Sequence, residues 1–266
     1  MSFKDHFSGH ANLYVKARPR YPDALFAWIA DEAPARGCVW DAGCGNGQAS
    51  VALARHFECV VGTDPSERQI GQAVADPRVE YRVEPAEHTS FAGHAADAVT
   101  VAQALHWFDL DAFIREMRRV AKPGALFAAW SYANCSVTPA LDAIVAELYG
   151  GVLGPYWPPE RRLVEEGYAS LALPIAPVAA PAFEMRADWS AAQFLAYLSS
   201  WSAAQRHRNA TGVDAVAAVA DEVRAVWGDA AQPRPVRWTL AIRAGRVTQE
   251  RTAPATVHGQ CGRGQP

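Results

Sequence analysis

Apolar and polar positions follow two rhythms along this chain, and the change between them falls near residue 133. Before it, short apolar runs alternate with stretches of helical period. "CVWDAG" (38–43), "CVVGTD" (59–64), "ADAVTVAQAL" (96–105) and "ALFAAWSY" (125–132) are the runs, and "VEYRV" (79–83) alternates apolar with polar residues. A strand covered on both faces reads as a continuous apolar run, and a half-covered one alternates. The segments between them, "GQASVALARHF" (47–57), "PSERQIGQAVA" (65–75) and "DLDAFIREMRRVAKPG" (109–124), read as helices. Pro65-Ser66-Glu67 is a helix start. In the third, Phe113, Met117 and Val120 share a face, and Lys122-Pro123-Gly124 stops the helix. Repeated β-α units of this kind predict an α/β fold, doubly wound, with a mostly parallel sheet and helices on both faces.

After residue 133 helices dominate. "TPALDAIVAELYGGVL" (138–153) is helical and ends at glycines, and "GPYWPPERRLVEEGYASLALP" (154–174) is a Pro- and Trp-rich turn followed by a helix. "PAFEMRADW" (181–189) is strand-like. "SAAQFLAYLSSWSAAQ" (190–205) is a helix capped by Ser190, with Phe194, Leu198 and Trp201 on one face. "GVDAVAAVADEVRAVWG" (212–228) is another, stopped by Gly228. Val236, Trp238, Leu240 and Ile242 alternate through "PVRWTLAIRAGRV" (235–247), which predicts one half-exposed strand near a sheet edge, antiparallel to the rest. Residues 248–266 have no period and read as a tail.

Half of the 266 residues are apolar, enough for a full core. The formal net charge is −3 with no long basic run, which disfavours a nucleic-acid partner. Arg161-Arg162 and Arg206-His207-Arg208 read as solvated helix faces. The five cysteines, Cys38, Cys44, Cys59, Cys135 and Cys261, include no C-x-x-C pair, so neither a disulfide framework nor a metal site is expected. "MSFKDHFSGHANLY" has no apolar signal core, and no apolar run approaches the roughly 18 residues of a membrane span. The expectation is a cytoplasmic protein without membrane contact, monomeric or homodimeric.

The chemistry starts at "VWDAGCGNGQAS" (39–50). A strand that enters a helix through a glycine turn presents backbone N–H groups to a ligand. The pattern here is D-x-G-x-G-x-G. A dinucleotide fingerprint places a small third residue where this chain has Gln48, and its acidic residue follows the glycines, whereas Asp41 precedes them. An anionic side chain there suits an amino-bearing ligand better than a pyrophosphate. Asp64 ends the next strand, where an acidic residue accepts ribose hydroxyls in doubly wound folds. Ala86 and Glu87, in "PAEHTSF" (85–91), follow the third strand, where an adenine edge is read. Blander readings stand beside these: a tight β-α turn, a helix cap at Asp64, a solvated carboxylate at Glu87.

These elements, with "ADAVTVAQALHWFDLDAFIREMRRVAKPGALFAAW", occur in the order and spacing of class I S-adenosylmethionine-dependent methyltransferases, which the chain resembles over about residues 36–132. "LYVKARPRYPDALFAWIA", "ALHWFD", "YWPPERRLVEEGY" and "WSAAQFLAYLSSWSA" are similar to the type 11 group related to fungal trans-aconitate methyltransferase. The resemblance implies a Rossmann-like mixed sheet and S-adenosyl-L-methionine as cofactor. It implies that Asp41, Ala42, Gly43, Cys44, Gly45 and Gly47 meet the methionine part. Asp64 would hold the ribose, Pro65 and Ser66 would flank the adenosine, and Ala86 and Glu87 would bound the adenine. Gln103 and Ala104 would line the pocket near the amino-acid moiety. Many relatives carry Leu-Pro where this chain has Thr89-Ser90 before Phe91. One domain over 1–247 follows. Residues 1–34 form a lid and first helix, 35–132 the cofactor core, 133–235 a small helical cap with a sixth strand, and 236–247 the last strand.

Methyl transfer from a sulfonium is an in-line displacement that rests on positioning, without metal catalysis. A base is required only for a poor nucleophile. His106 is the candidate catalytic residue, as base or orienter, against a structural histidine. Tyr14, Arg18, Tyr21, Trp107, Trp157 and Arg161 are the candidate substrate contacts. Arginines suit a carboxylate, so O-methylation of a small carboxylic acid is the leading reading if Arg18, Arg161 and Arg162 converge. Trp157 and Trp201 read more readily as cap core than as substrate wall. The alternatives are a non-catalytic S-adenosylmethionine sensor or partner module and an NAD-dependent oxidoreductase. The oxidoreductase would want a small residue at Gln48 and a Tyr-x-x-x-Lys pair, which the chain lacks.

Overall fold

The computed structural model describes residues 19–248; Tyr14 and Arg18 lie outside them. Helix α1 (Asp23–Glu32) precedes β1 (Cys38–Ala42), α2 (Gln48–Leu53), β2 (Cys59–Asp64), α3 (Glu67–Ile70), β3 (Val79–Val83), β4 (Ala96–Ala102), α4 (Leu110–Val120) and β5 (Ala121–Ser131). Strands β1 to β5 run parallel in the order β3-β2-β1-β4-β5. Right-handed crossover geometry leaves helices on both faces of such a sheet. Lys122-Pro123-Gly124 ends α4 but falls inside β5. The pairing with β4 slips there, from Ala96↔Ala121 to Ala98↔Leu126, so the three residues form an irregularity at the strand's start.

The second part holds α5 (Pro139–Ala146), α6 (Arg161–Glu165), β6 (Ile175–Pro177), β7 (Glu184–Trp189), α7 (Ala191–Ser199), α8 (Ser202–Thr211), α9 (Ala215–Trp227), β8 (Arg234–Thr239) and β9 (Ala241–Val247). The expected single strand over 235–247 is two strands. β8 pairs antiparallel with β7 in a separate two-stranded ribbon, and β9 enters the main sheet antiparallel to β5. Leu240 lies between them. The expected sixth strand over 181–189 therefore belongs to the ribbon, and three-residue β6 takes the sheet edge beyond β9.

Helix lengths differ from the periodic reading where capping decides. Ser66 accepts from Gln69 N and starts α3, which stops at Ile70. The helix expected over 190–205 divides at Ser200–Trp201. A full capping box joins Ser190 and Gln193 at its start. The helix expected over 138–153 is α-helical only to Ala146, then widens to a π-turn over Glu147–Val152, where Gly150 and Gly151 stand.

Period-2 alternation along the strands makes two cores. Val39, Val60, Ala98, Leu126, Ala128 and Trp130 pack on one face with α1, α2 and the cap. Trp40, Val61, Val99, Val101 and Phe127 pack on the other with Phe113 and Met117 of α4. The cap's interior is aromatic. Trp189, Tyr197 and Trp238 meet at ring-centroid distances of 5.0–5.4 Å, and Trp238 Nε1 donates to Tyr197 Oη at 3.0 Å. Among the described residues, no helix is long and apolar enough to cross a membrane.

Candidate active site

The carboxyl ends of β1, β2, β4 and β5 enclose an open cleft. Of the predicted residues it brings together Tyr21, Gly43, Cys44, Gly45, Asp64, Gln103, Ala104 and Trp107. Asn46, Gln48, Ala49, Gln69, Ala102 and Tyr132 complete the wall. A ligand crevice at these strand ends is what the switch-point rule gives for such a sheet. The same rule could have supplied Tyr132, which follows β5 directly. Asn46 and Gln69 carry no signal of their own in the sequence.

Backbone conformation shapes the loop after β1. Gly43 has φ +67°, and a Cβ there would stand 2.6 Å from the Ala104 Cβ. Gly45 has φ +55°, and a Cβ on it would meet nothing within 4 Å, so bare backbone faces the cleft. Asp64 fixes this loop to the next. Its Oδ2 accepts from Gly45 N at 3.0 Å and its Oδ1 from Ser66 N at 2.9 Å. Across the cleft Gln103 holds φ +55°, a strained value for a residue with a Cβ. Gln103 N donates to Trp130 O at 2.9 Å and Nε2 to Tyr132 O at 2.8 Å.

Several predicted contacts sit one layer back. Asp41 is wholly buried under the loop, where Oδ2 accepts from Ser50 Oγ at 2.6 Å and Oδ1 from Thr100 Oγ1 at 3.0 Å. Burial pushes its pKa up to about 6 against the pull of those hydroxyls. It does not line the cleft, because the two hydroxyls turn it into the sheet. Ala42 is buried beside it. Gly47 backs onto Tyr81, whose hydroxyl a Cβ would overlap. Pro65 and Ser66 lie outside the wall, and Ser66 caps α3. Ala86 is core, and Glu87 Oε1 accepts from Asp109 N at 2.9 Å, at the start of α4.

The candidate catalytic and substrate residues divide the same way. His106 lies in a 3₁₀ turn behind Trp107, its Nδ1 3.1 Å from Tyr168 Oη. Burial and then the Arg161 charge lower its pKa to about 3, so the ring stays neutral. Burial holds the Tyr168 phenol above its ordinary value. A group this weakly basic is a poor general base near neutral pH. Arg161 is engaged on every side: Nε donates to Tyr149 Oη at 2.8 Å, Nη2 to Ala133 O at 3.1 Å, and the guanidinium lies 4.8 Å from the Trp157 ring centroid. Trp157 donates Nε1 to Tyr149 O and packs against Trp201. Arg162 is exposed beside Glu166. Of the three arginines of the carboxylate reading, the two described ones, Arg161 and Arg162, do not converge. Arg161 is built into the cap, Arg162 faces solvent, and Arg18 lies outside the described residues.

The geometry has counterparts of known kind. A methyltransferase domain model matches residues 40–129. A Dictyostelium discoideum protein provisionally named a methyltransferase is 34% identical over 206 residues, covering 75% of this chain and 78% of its own. A solved Anaeromyxobacter dehalogenans structure, provisionally described as a type II methyltransferase, is 50% identical with a TM-score of 0.83. It covers 87% of this chain and 99% of that one. The chain belongs to the class I S-adenosylmethionine-dependent methyltransferases. The ubiquinone biosynthesis O-methyltransferase of Agrobacterium fabrum is 34% identical over 115 residues, 41% of this methyltransferase and 46% of its own length. The cofactor of this methyltransferase is S-adenosyl-L-methionine, and the cleft fits it: bare backbone at Gly45 and an anchored carboxylate at Asp64 stand at neighbouring strand ends. Among the described residues no group of three or more His, Cys, Asp or Glu is arranged to hold a metal ion.

Proposed function

We propose that this methyltransferase transfers the methyl group to a small molecule that brings its own anionic oxygen, a carboxylate before all others. The observation that carries this is the placement of His106, off the cleft wall with its Nδ1 3.1 Å from Tyr168 Oη. With a pKa near 3 His106 is neutral but too weak a base to take a proton from an alcohol or ordinary phenol. A carboxylate is ionised at neutral pH and needs no base.

When bound, S-adenosyl-L-methionine supplies an electrophilic methyl on a sulfonium leaving group. The chain's part is positioning. Asp64 receives the ribose hydroxyls, in an orientation fixed by Gly45 N and Ser66 N. The Gly43–Gly45 backbone, Gln103 and Ala104 flank the methionine end, and Asp41 acts through the loop by its charge. Ala86 and Glu87 set the position of the third loop on α4. Tyr21, Trp107 and Tyr132 form an aromatic wall that keeps water from the acceptor.

The test is a methyl-transfer screen with small carboxylic acids, phenols and amines, followed by the pH dependence of kcat/KM for the best acceptor. Transfer to a carboxylic acid with a rate flat above the acid's own pKa is expected. Transfer confined to amines or unactivated phenols would overturn the acceptor class.

A further inference from the structure

Cys38 opens β1 and Cys59 opens β2, and the parallel register sets the two opposite one another. Their side chains project on one face, and the Sγ–Sγ distance is 2.7 Å. That lies between a covalent S–S bond of about 2.04 Å and ordinary contact. Neighbouring strands run about 4.8 Å apart, inside the Cα separation of about 4.4–6.8 Å that a disulfide spans. Both residues are partly exposed, at the amino ends of their strands, the end of the sheet away from the cleft.

The surroundings set the resting state. Asp97 Oδ2 accepts from Cys38 N at 2.9 Å and Oδ1 from Lys122 Nζ at 2.7 Å, which pins the start of β1. Burial, then the hydrogen bond to Cys59, push the Cys38 thiol up to about 12, so that thiol rests protonated. Cys44 and Cys135 are each buried elsewhere.

We propose that Cys38 and Cys59 are a thiol–disulfide site that a low-molecular-weight disulfide oxidises while the cofactor cleft stays intact. One protein thiol gives up its proton and attacks the reagent's S–S bond, releasing one reagent thiol. The second protein thiol then displaces the reagent from the mixed disulfide, releasing the other. Two protein thiols become one disulfide and one reagent disulfide becomes two thiols, so electrons and protons balance. The bond forms across a register the strands already hold. The Trp40↔Val61 and Ala42↔Thr63 pairs separate it from the glycine loop, so the cleft has no cause to move.

The experiment treats the full chain with oxidised glutathione under native conditions, alkylates remaining thiols and maps peptides by mass spectrometry. A Cys38–Cys59 cross-linked peptide is expected, reversed by dithiothreitol and absent from Cys38→Ser and Cys59→Ser. Calorimetry on the oxidised protein should return the S-adenosylhomocysteine affinity of the reduced protein. A glutathione adduct that never resolves, links only to Cys44, Cys135 or Cys261, or full alkylation of both thiols would overturn the site. Lost affinity on oxidation would overturn the claim that the cleft is spared.

Discussion

Asp41 carries a carboxylate where water does not reach, and that position has opposite effects on stability and on binding. Its folded pKa of about 6 lies above the ordinary carboxyl value of 3.8, so the native state holds the proton more tightly than the unfolded chain. The stability this contributes is complete below about pH 4 and is lost as pH rises through about 6. The charged form at neutral pH thus costs on the order of 2–3 kcal/mol. Asp41→Asn keeps partners for Ser50 and Thr100 and removes the charge. Urea denaturation should find the variant more stable than the parent at pH 7 by roughly 1–3 kcal/mol, with the gap closing toward pH 4. S-adenosylhomocysteine affinity should fall in the same variant. Equal or lower stability at pH 7 would show that the charge is compensated in the fold.

His106 gives a second prediction at this scale. Its ring is neutral throughout the working range, so His106→Gln should leave the shape of the pH–rate profile unchanged. An inflection near the ordinary value of 6.5 that disappears in the variant would return the base role to His106. Asp64→Ala removes the acceptor shared by Gly45 N and Ser66 N. It should weaken S-adenosylhomocysteine binding by about 1–3 kcal/mol in a calorimetric titration. Unchanged affinity would take Asp64 out of the ribose role.

Among the elements, the loop after β3 and helix α4 form one unit. Glu116 Oε1 accepts from both Thr89 N and Thr89 Oγ1 at 2.7 Å and from Arg119 at 2.6 Å. Burial raises the Glu116 pKa, but the hydrogen bonds from Arg119 and Thr89 outweigh it and hold the carboxyl below its ordinary range. Its stabilisation is therefore present at neutral pH and lost on acidification. Glu116→Gln should cost about 1–3 kcal/mol at pH 7 by thermal or chemical denaturation, and less in acid. This network accounts for Thr89-Ser90 in place of Leu-Pro. A leucine at 89 would lack the hydroxyl that Thr89 donates to the buried carboxylate, and a proline at 90 would lack the N–H that Ser90 donates to Glu84 Oε2 at 3.0 Å.

The same scale shows what the chain made legible. Continuous apolar runs announced β1, β2, β4 and β5, and the glycine loop with Asp64 announced the cleft, because both signals are local. The break at Leu240 was not legible. Val236, Trp238, Leu240 and Ile242 keep one period while the partner strand changes, and period says nothing about the partner. Asp41 was recognisable as special, but its turn toward Ser50 and Thr100 depends on residues brought together only by folding. The surroundings of Arg161 were not legible for a related reason, since Tyr149, Trp157 and the Ala133 carbonyl meet it only once the cap has folded.

At the level of the whole molecule, one sheet divides two cores, and the cap is joined to one of them through an aromatic interior. The cleft draws its fixed groups from loops at strand ends, while the cap's Arg161 adds its charge to the burial that holds His106 neutral. A change in acceptor preference is expected to follow substitution of Tyr21, Trp107 or Tyr132, with S-adenosylhomocysteine affinity nearly constant. Altered affinity without altered preference, measured on the same acceptor panel, would assign that aromatic wall to the cofactor.

The passage through Leu240 also has a meaning in time. Strand β5 leaves the ribosome with one edge unpaired, and that edge stays bare until everything from Ser131 to Ala241 has been made. Exposed strand edges recruit other chains. The early-made half is thus vulnerable during synthesis, and β9 both completes the sheet and ends that exposure.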